Sequence, residues 1–328
     1  MDERDGKQWI SDEFSALDLG DERLNKRAKT LMADLAAKPS ASIPMACNGW
    51  SETLAAYRFL GNDKVDWREI LAPHWSRTEA RMGAHPVVLC LQDTTELDFN
   101  GQDIAGLGPL NYEARRGMYV HPTYAVTPQR EALGVLDAWI WAREARDEHG
   151  ERGGLRESAR WVEGYERIAE LATSLPTTRL VYVADREADM VELMLAADRL
   201  GNPADWLIRA QHDRCLPEGE KLWAHTCAGA PLGEIVFMMA SRQGQKAREV
   251  GAPAGVTPVE WRLLTNRSVA TVEEVVELID WYRARWEIER FFQCSRTAAW
   301  SRSCSCPRSS GSNGRWRCSW SSVGASCI

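Results

Sequence analysis

The chain has 328 residues, 44% of them hydrophobic, with a formal net charge of −7. That length suits one large domain or two ordinary ones with a sizeable buried core. No apolar run reaches the roughly 20 residues of a membrane helix and the first ten residues are charged rather than signal-like, so a cytoplasmic location is expected. The nine cysteines show neither paired zinc spacing nor a secreted framework. The negative balance argues mildly against a nucleic-acid partner, although whole-chain charge says little about a local groove.

Residues 1–82 read as a compact helical module. Asp21 precedes ERLNKRAKTLMADLAAK, in which Leu24, Ala28, Leu31 and Leu35 repeat at helical spacing. Asp66 with Glu69 reads as a capping box for the next helix, which Pro73 is expected to kink. From Pro86 the period changes. VVLCLQD (87–93) is apolar on both faces, as in a strand covered on both sides. MYVHPTYAV (118–126) and ALGVLDAWIWA (132–142) suggest an antiparallel pair.

A helix is expected over about 156–174, then a strand LVYVAD (180–185), a helix READMVELMLAADRL, and a short strand DWLIRA (205–210). The order predicts a mixed α/β sheet flanked by helices, occupying 86–210. Residues 211–258 read as an irregular insertion. Residues 259–292 hold a last strand and a single long helix from about Val272 to Phe292.

Three acids stand in positions that ask for a reason. Asp93 and Asp185 each close an apolar strand, and side chains at the carboxyl ends of neighbouring strands converge on the crevice where ligands bind in open α/β sheets. A lone Asp there is more often a turn residue. Glu289 extends a helical stripe of Val275, Ile279, Tyr282 and Trp286, and a carboxylate facing a core needs a partner or a metal. A salt bridge to Arg285 and a metal-binding role both satisfy that need. Together, the three carboxylates form an oxygen-only set suited to Mg²⁺ or Mn²⁺, and two such ions about 3.5–4 Å apart drive in-line phosphoryl transfer. The pattern points to a nuclease or strand transferase.

QDTTELDF (92–99), VYVADREADM (181–190) and Y-x-x-R-x-x-x-E at Tyr282, Arg285 and Glu289 resemble the DDE transposases of bacterial insertion sequences. The likeness is to the IS-four family, in the group that includes the Tn-five transposase. LGDERLNKRA (19–28) and AAYRFLGN (55–62) look like that group's N-terminal DNA-binding module, and the resemblance spans about residues 8–292. It implies an RNase H-like catalytic core in which Asp93, Asp185 and Glu289 bind two metal ions. Arg285 and Tyr282 would hold phosphates, Trp261 would stack on a flipped base, and Arg209 would touch the DNA backbone. Read without the resemblance, Trp261 is a core strand residue, while Glu187 and Asp189 are helix-start charges favoured by the dipole. The implied partner is double-stranded DNA, at terminal inverted repeats and target sites, in a bacterial, nucleoid-associated setting. The implied reaction is cut-and-paste transposition.

Two departures stand out. The strand-rich insertion of relatives is short here. After Gln293, five Cys and three Trp appear without periodicity. Their codons all begin TG, so a frame displaced by one base turns all eight into Leu, Val or Met and permits a Lys at position 296, where relatives carry one. Residues 293–328 are therefore expected to be a frameshifted, disordered tail. Relatives form homodimers through helices beyond the Glu, so this copy is expected to transpose little. Two alternatives remain: a non-catalytic DNA-end-binding protein, and another nuclease of RNase H-like fold.

Overall fold

The computed structural model describes residues 3–154, 156–229, 238–239, 248–249 and 261–303. Five helices come first: α1 (Glu3–Glu13), α2 (Glu22–Ala37), α3 (Ile43–Ala46), α4 (Trp50–Leu60) and α5 (Trp67–Met82). Asp21 caps α2 by accepting from the Arg23 N–H at 2.8 Å, and Asp66 caps α5 through the Arg68 N–H at 2.8 Å. The expected box with Glu69 thus reduces to Asp66 alone. Pro73 lies inside α5, which continues to Met82. The stripe of Ala28, Leu31 and Leu35 is buried with Ile10, Phe14, Ile43 and Phe59, giving the module its own core.

A buried polar node ties this module to the main sheet. The His74 Nδ1 lies 2.6 Å from the Glu13 carboxylate, and its Nε2 accepts from the Val135 N–H at 3.1 Å. Arg81 bridges Glu13, at 2.9 and 3.0 Å, and the Leu133 carbonyl, at 2.6 Å. Burial works to raise the pKa of Glu13, but the bonds from His74 and Arg81 outweigh it and hold the carboxyl below its ordinary value.

The main sheet contains β1 (Val87–Gln92), β2 (Thr95–Asp98), β3 (Gly108–Pro109), β4 (Arg116–Val126), β5 (Ala132–Trp141), β6 (Arg179–Ala184) and β7 (Asp205–Arg209). Of the short strands β8 (Met238–Met239), β9 (Arg248–Glu249) and β10 (Leu263–Thr265), the first two pair with each other and β10 joins the main sheet. The order is β10-β7-β6-β1-β4-β2, with β5 and β3 also paired to β4. β1 runs parallel to β6, and β6 to β7, while β4 is antiparallel to β1 and to β5. The six expected strands all form, the last of them as the short β10. β2 and β3 were not expected, because they are too short to show a period.

Apolar residues on both faces of β1 reflect two separate layers. Leu89 and Leu91 face one core with Val181, Val183 and Leu207. Val88 and Cys90 face another, beneath α6 (Ala159–Ser174) and α7 (Val191–Arg199). Gly164 lets α6 approach β1: a Cβ there would meet the Gln92 side chain at 2.0 Å.

Several sequence expectations need correction. Arg186–Ala188 form a 3-10 turn before α7, so READMVELMLAADRL is not one helix. Within 211–258, α8 (Leu222–Ala228) and a bridge between Cys215 and Lys221 give order to the first part. Most of 230–260 lies outside the described residues. The long helix is two, α9 (Val272–Ala284) and α10 (Trp286–Ser303). Thr271 and Glu274 form a full capping box at the start of α9. α10 runs past Gln293 to Ser303, so helix and apolar period do not end together. Residues 304–328 of the expected tail lie outside the described residues. No helix among the described residues is long and apolar enough to cross a membrane.

Candidate active site

Parallel pairing of β1 with β6 sets Gln92 opposite Ala184. The next residues, Asp93 and Asp185, leave the same edge of the sheet side by side, and each carboxylate is oriented by a backbone amide: Asp93 accepts from Thr94 N–H at 2.8 Å, Asp185 from Glu187 N–H at 2.8 Å. The register alone brings these two acids together.

The third acid arrives on the α9–α10 arm. The arm tightens at Arg285, whose N–H bonds to the Tyr282 carbonyl while the Ile288 N–H bonds back to the Arg285 carbonyl, both at 3.1 Å. Three-residue bonds of this kind overwind the chain and rotate the turns of α10 about the helix axis. The buried face therefore runs through Leu278, Trp281, Tyr282, Arg285, Ile288, Phe291, Phe292 and Ser295. Of the expected stripe only Tyr282 lies on it. Trp286 is 53% exposed, and Glu289 sits half-buried at the margin, a correction to its placement on the core stripe.

Glu289 still lies within electrostatic reach of Asp93. Burial comes first in raising the pKa of Asp93 to about 7, Arg285 opposes it, and the negative charges of Asp185 and Glu289 add to the rise. The salt bridge weighed for Arg285 is made with Asp93 rather than Glu289: Nη1 lies 2.6 Å from Oδ2, with the side chains 10% and 14% exposed. The Arg285 Nε is buried without an acceptor. Burial also raises the Tyr282 hydroxyl, which feels Arg285, Arg209 and Asp185. Trp261, 39% exposed rather than a core strand residue, meets Tyr282 edge-on at 5.3 Å between centroids. All seven residues singled out in the sequence thus gather at one end of the sheet.

Hard oxygen donors around a carboxyl pushed up by burial and, less, by its acidic neighbours fit a divalent cation in kind. In this arrangement the positive charge beside Asp93 is the Arg285 guanidinium. Among the described residues, no three His, Cys, Asp or Glu side chains are drawn closely enough to hold an ion together.

Some members of the neighbourhood were not anticipated. Thr94 Oγ1 lies 2.8 Å from His121 Nδ1, and His121 Nε2 lies 3.3 Å from Gln92 Oε1. His121 is buried and its pKa falls to about 3, chiefly from burial and secondarily from Arg160. Arg296 donates to Thr95 Oγ1 at 2.7 Å, placing a cation of α10 at the start of β2. Asp189, expected as a helix-start charge, is fully buried and pairs with Arg214 at 2.6 Å. It also accepts from the N–H groups of Gln211 and His212 at 2.5 and 2.9 Å. Its signal in the sequence was only its place in the ADREAD segment.

Residues 6–65 match the family model described as Transposase DNA-binding. A solved structure with some likeness is the cryo-EM structure of a piggyBac transposase synaptic complex with hairpin DNA. It is 9% identical at a TM-score of 0.36, over 70% of this chain and 44% of that one. The chain thus spans less than half the length of that protein. A segment that matches a transposase DNA-binding family thus precedes a mixed sheet flanked by helices.

Proposed function

We propose that this chain is a DDE transposase of the IS-four type that cuts and joins DNA at element ends. The observation that carries the reading is the match of residues 6–65 to a transposase DNA-binding family, followed in the same chain by Asp93 with Asp185 and Glu289 each within electrostatic reach of it. An RNase H-like core is supported by the antiparallel set β5-β4-β1 continued by parallel β6 and β7.

Asp93, Asp185 and Glu289 would hold Mg²⁺ or Mn²⁺. Bound there, a pair of ions would supply Lewis acidity and an activated water for in-line displacement at phosphorus. The chain's own residues orient the strand. The unpartnered Nε–H of Arg285 can donate to a phosphate oxygen from a buried position, and Tyr282, beside it, braces the exposed ring of Trp261 for stacking on a base. Arg209 at the end of β7 adds positive charge along the backbone path.

The displaced-frame reading of the tail draws support from Ser295. It is buried, its hydroxyl bonds only back to the Phe291 carbonyl at 2.8 Å, and the neighbouring frame permits a Phe at position 295. The nucleotide sequence of codons 293–328 tests it directly, and a neighbouring frame that does not encode an amphipathic helix removes it.

The functional test is nicking of a labelled duplex carrying the inverted repeat that flanks the coding sequence. Mg²⁺-dependent nicking that falls about 10³-fold or more in Asp93→Ala is expected, since metal-ion catalysis contributes several kcal/mol to such a step. A mobility shift without nicking would make the chain a DNA-end-binding protein instead.

A further inference from the structure

The sheet end has a second side. Tyr282 belongs to the core under α9 and α10, whereas Trp161 belongs to the core under α6. On the α6 side, a cleft of about 380 Å³ opens between Thr94 and Thr95, which follow Asp93, and Arg186 and Glu187, which follow Asp185. It thus begins one residue beyond Asp93 and Asp185 and lies across the sheet from Tyr282, which Trp261 touches. Its volume falls at the small end of the roughly 300–1,000 Å³ of small-ligand sites, which suits one nucleotide and not a duplex.

The lining decides what kind of group it takes. Tyr119 is covered by the Arg143 guanidinium at 4.0 Å and stacks on Trp141 at 5.3 Å, and Trp141 carries Arg160 on its ring at 3.7 Å. These aromatic faces are already covered, so the wall is poorly placed to stack a base. Arg143 is matched by Glu157 at 2.5 and 2.6 Å, and Glu96 and Glu187 outweigh the remaining cation Arg186, which makes a bare phosphate a poor fit. The remaining lining mixes donors and acceptors, among them Glu96, Gln211 and His212. The loop bearing the last two is pinned through its backbone by the buried Asp189, leaving their side chains outward. Adjacent donors and acceptors on a rigid rim match the edge of a nucleobase.

We propose that this cleft reads one unpaired base of the strand whose backbone crosses Asp93 and Asp185, by hydrogen bonds to its edge and not by stacking. This rests on the transposase reading. Base-edge bonding selects one base, whereas stacking accepts any, so the cleft makes the protein selective at a single position next to the cut.

The test is selection from a pool of duplex DNA with randomised terminal positions, comparing the full chain with a Gln211→Ala, His212→Ala double variant. Both side chains are exposed, and Asp189 holds only their backbone, so the fold survives the change. Wild type is expected to prefer one base about tenfold at one position, the discrimination a base-edge pair provides. In the variant that preference should drop to about twofold while the other positions keep theirs. An unchanged preference, or an equal loss at every position, overturns the proposal. If wild type enriches no DNA, the transposase reading falls with it, a result the first two outcomes do not produce.

Discussion

Asp93 and Asp185 owe their places to the sheet, whereas Arg285 and Glu289 owe theirs to the α9–α10 arm. The first pair is set by β1–β6 register, in which one backbone pairing settles both positions at once. The second pair hangs on side-chain packing of Tyr282, Ile288, Phe291 and Phe292 against the sheet and on one ion pair across 192 residues of sequence. Half of the site is therefore built by hydrogen-bonded backbone and half by packing, and the packed half should be the more easily lost.

The largest effect expected is in the arm. Phe291 is 3% exposed and stacks on Tyr124 at 4.9 Å. Phe291→Ala should cost about 3–5 kcal/mol by chemical denaturation, as large-to-small changes in cores do, and hydrogen exchange should rise first in α9 and α10. Equal exchange in β1 and β6 would erase the distinction between the two halves.

The sheet half has its own weak point, in acid. His121 is neutral in the fold with a pKa near 3, below the ordinary value of 6.5. The unfolded chain then binds the extra proton, so stability is fully present above about pH 6.5 and is lost as pH falls from there toward 3, with a slope of up to one proton. Urea midpoints across that window should fall more steeply for wild type than for His121→Asn. Parallel profiles would assign the acid loss to other groups.

The smallest effect is at the root of the arm. Thr271→Ala removes the cap on the Glu274 N–H and should cost about 1 kcal/mol, seen as exchange in the first turn of α9 with the sheet amides unmoved.

The same division separates what could be read in advance from what could not. β1, β4, β5, β6 and β7 were legible because apolar β-branched runs between turn signals have one common solution, and their ends located Asp93 and Asp185 at once. The arm was read as one helix with Glu289 on its core stripe. Apolar residues lie nearly all round it between Leu278 and Phe292, so two stripes fit the 3.6 period equally well. Only the tight turn at Arg285 selects between them, and nothing in its residue type announces that turn. The loop anchor Asp189 and the buried His121 were missed for a related reason, since their partners lie 22 and 27 or more residues away.

The sequence by itself determined the kinds of element, the two strand-end acids and the chemistry that three carboxylates, an arginine and a tyrosine can perform, because periodicity and residue type are local properties. Tertiary structure alone decided that Arg285 neutralises Asp93, that Glu289 sits at the margin of the core, and that a polar cleft flanks the acids. Those facts depend on how elements far apart in the chain rotate against one another, which packing settles only when the whole sheet end is assembled.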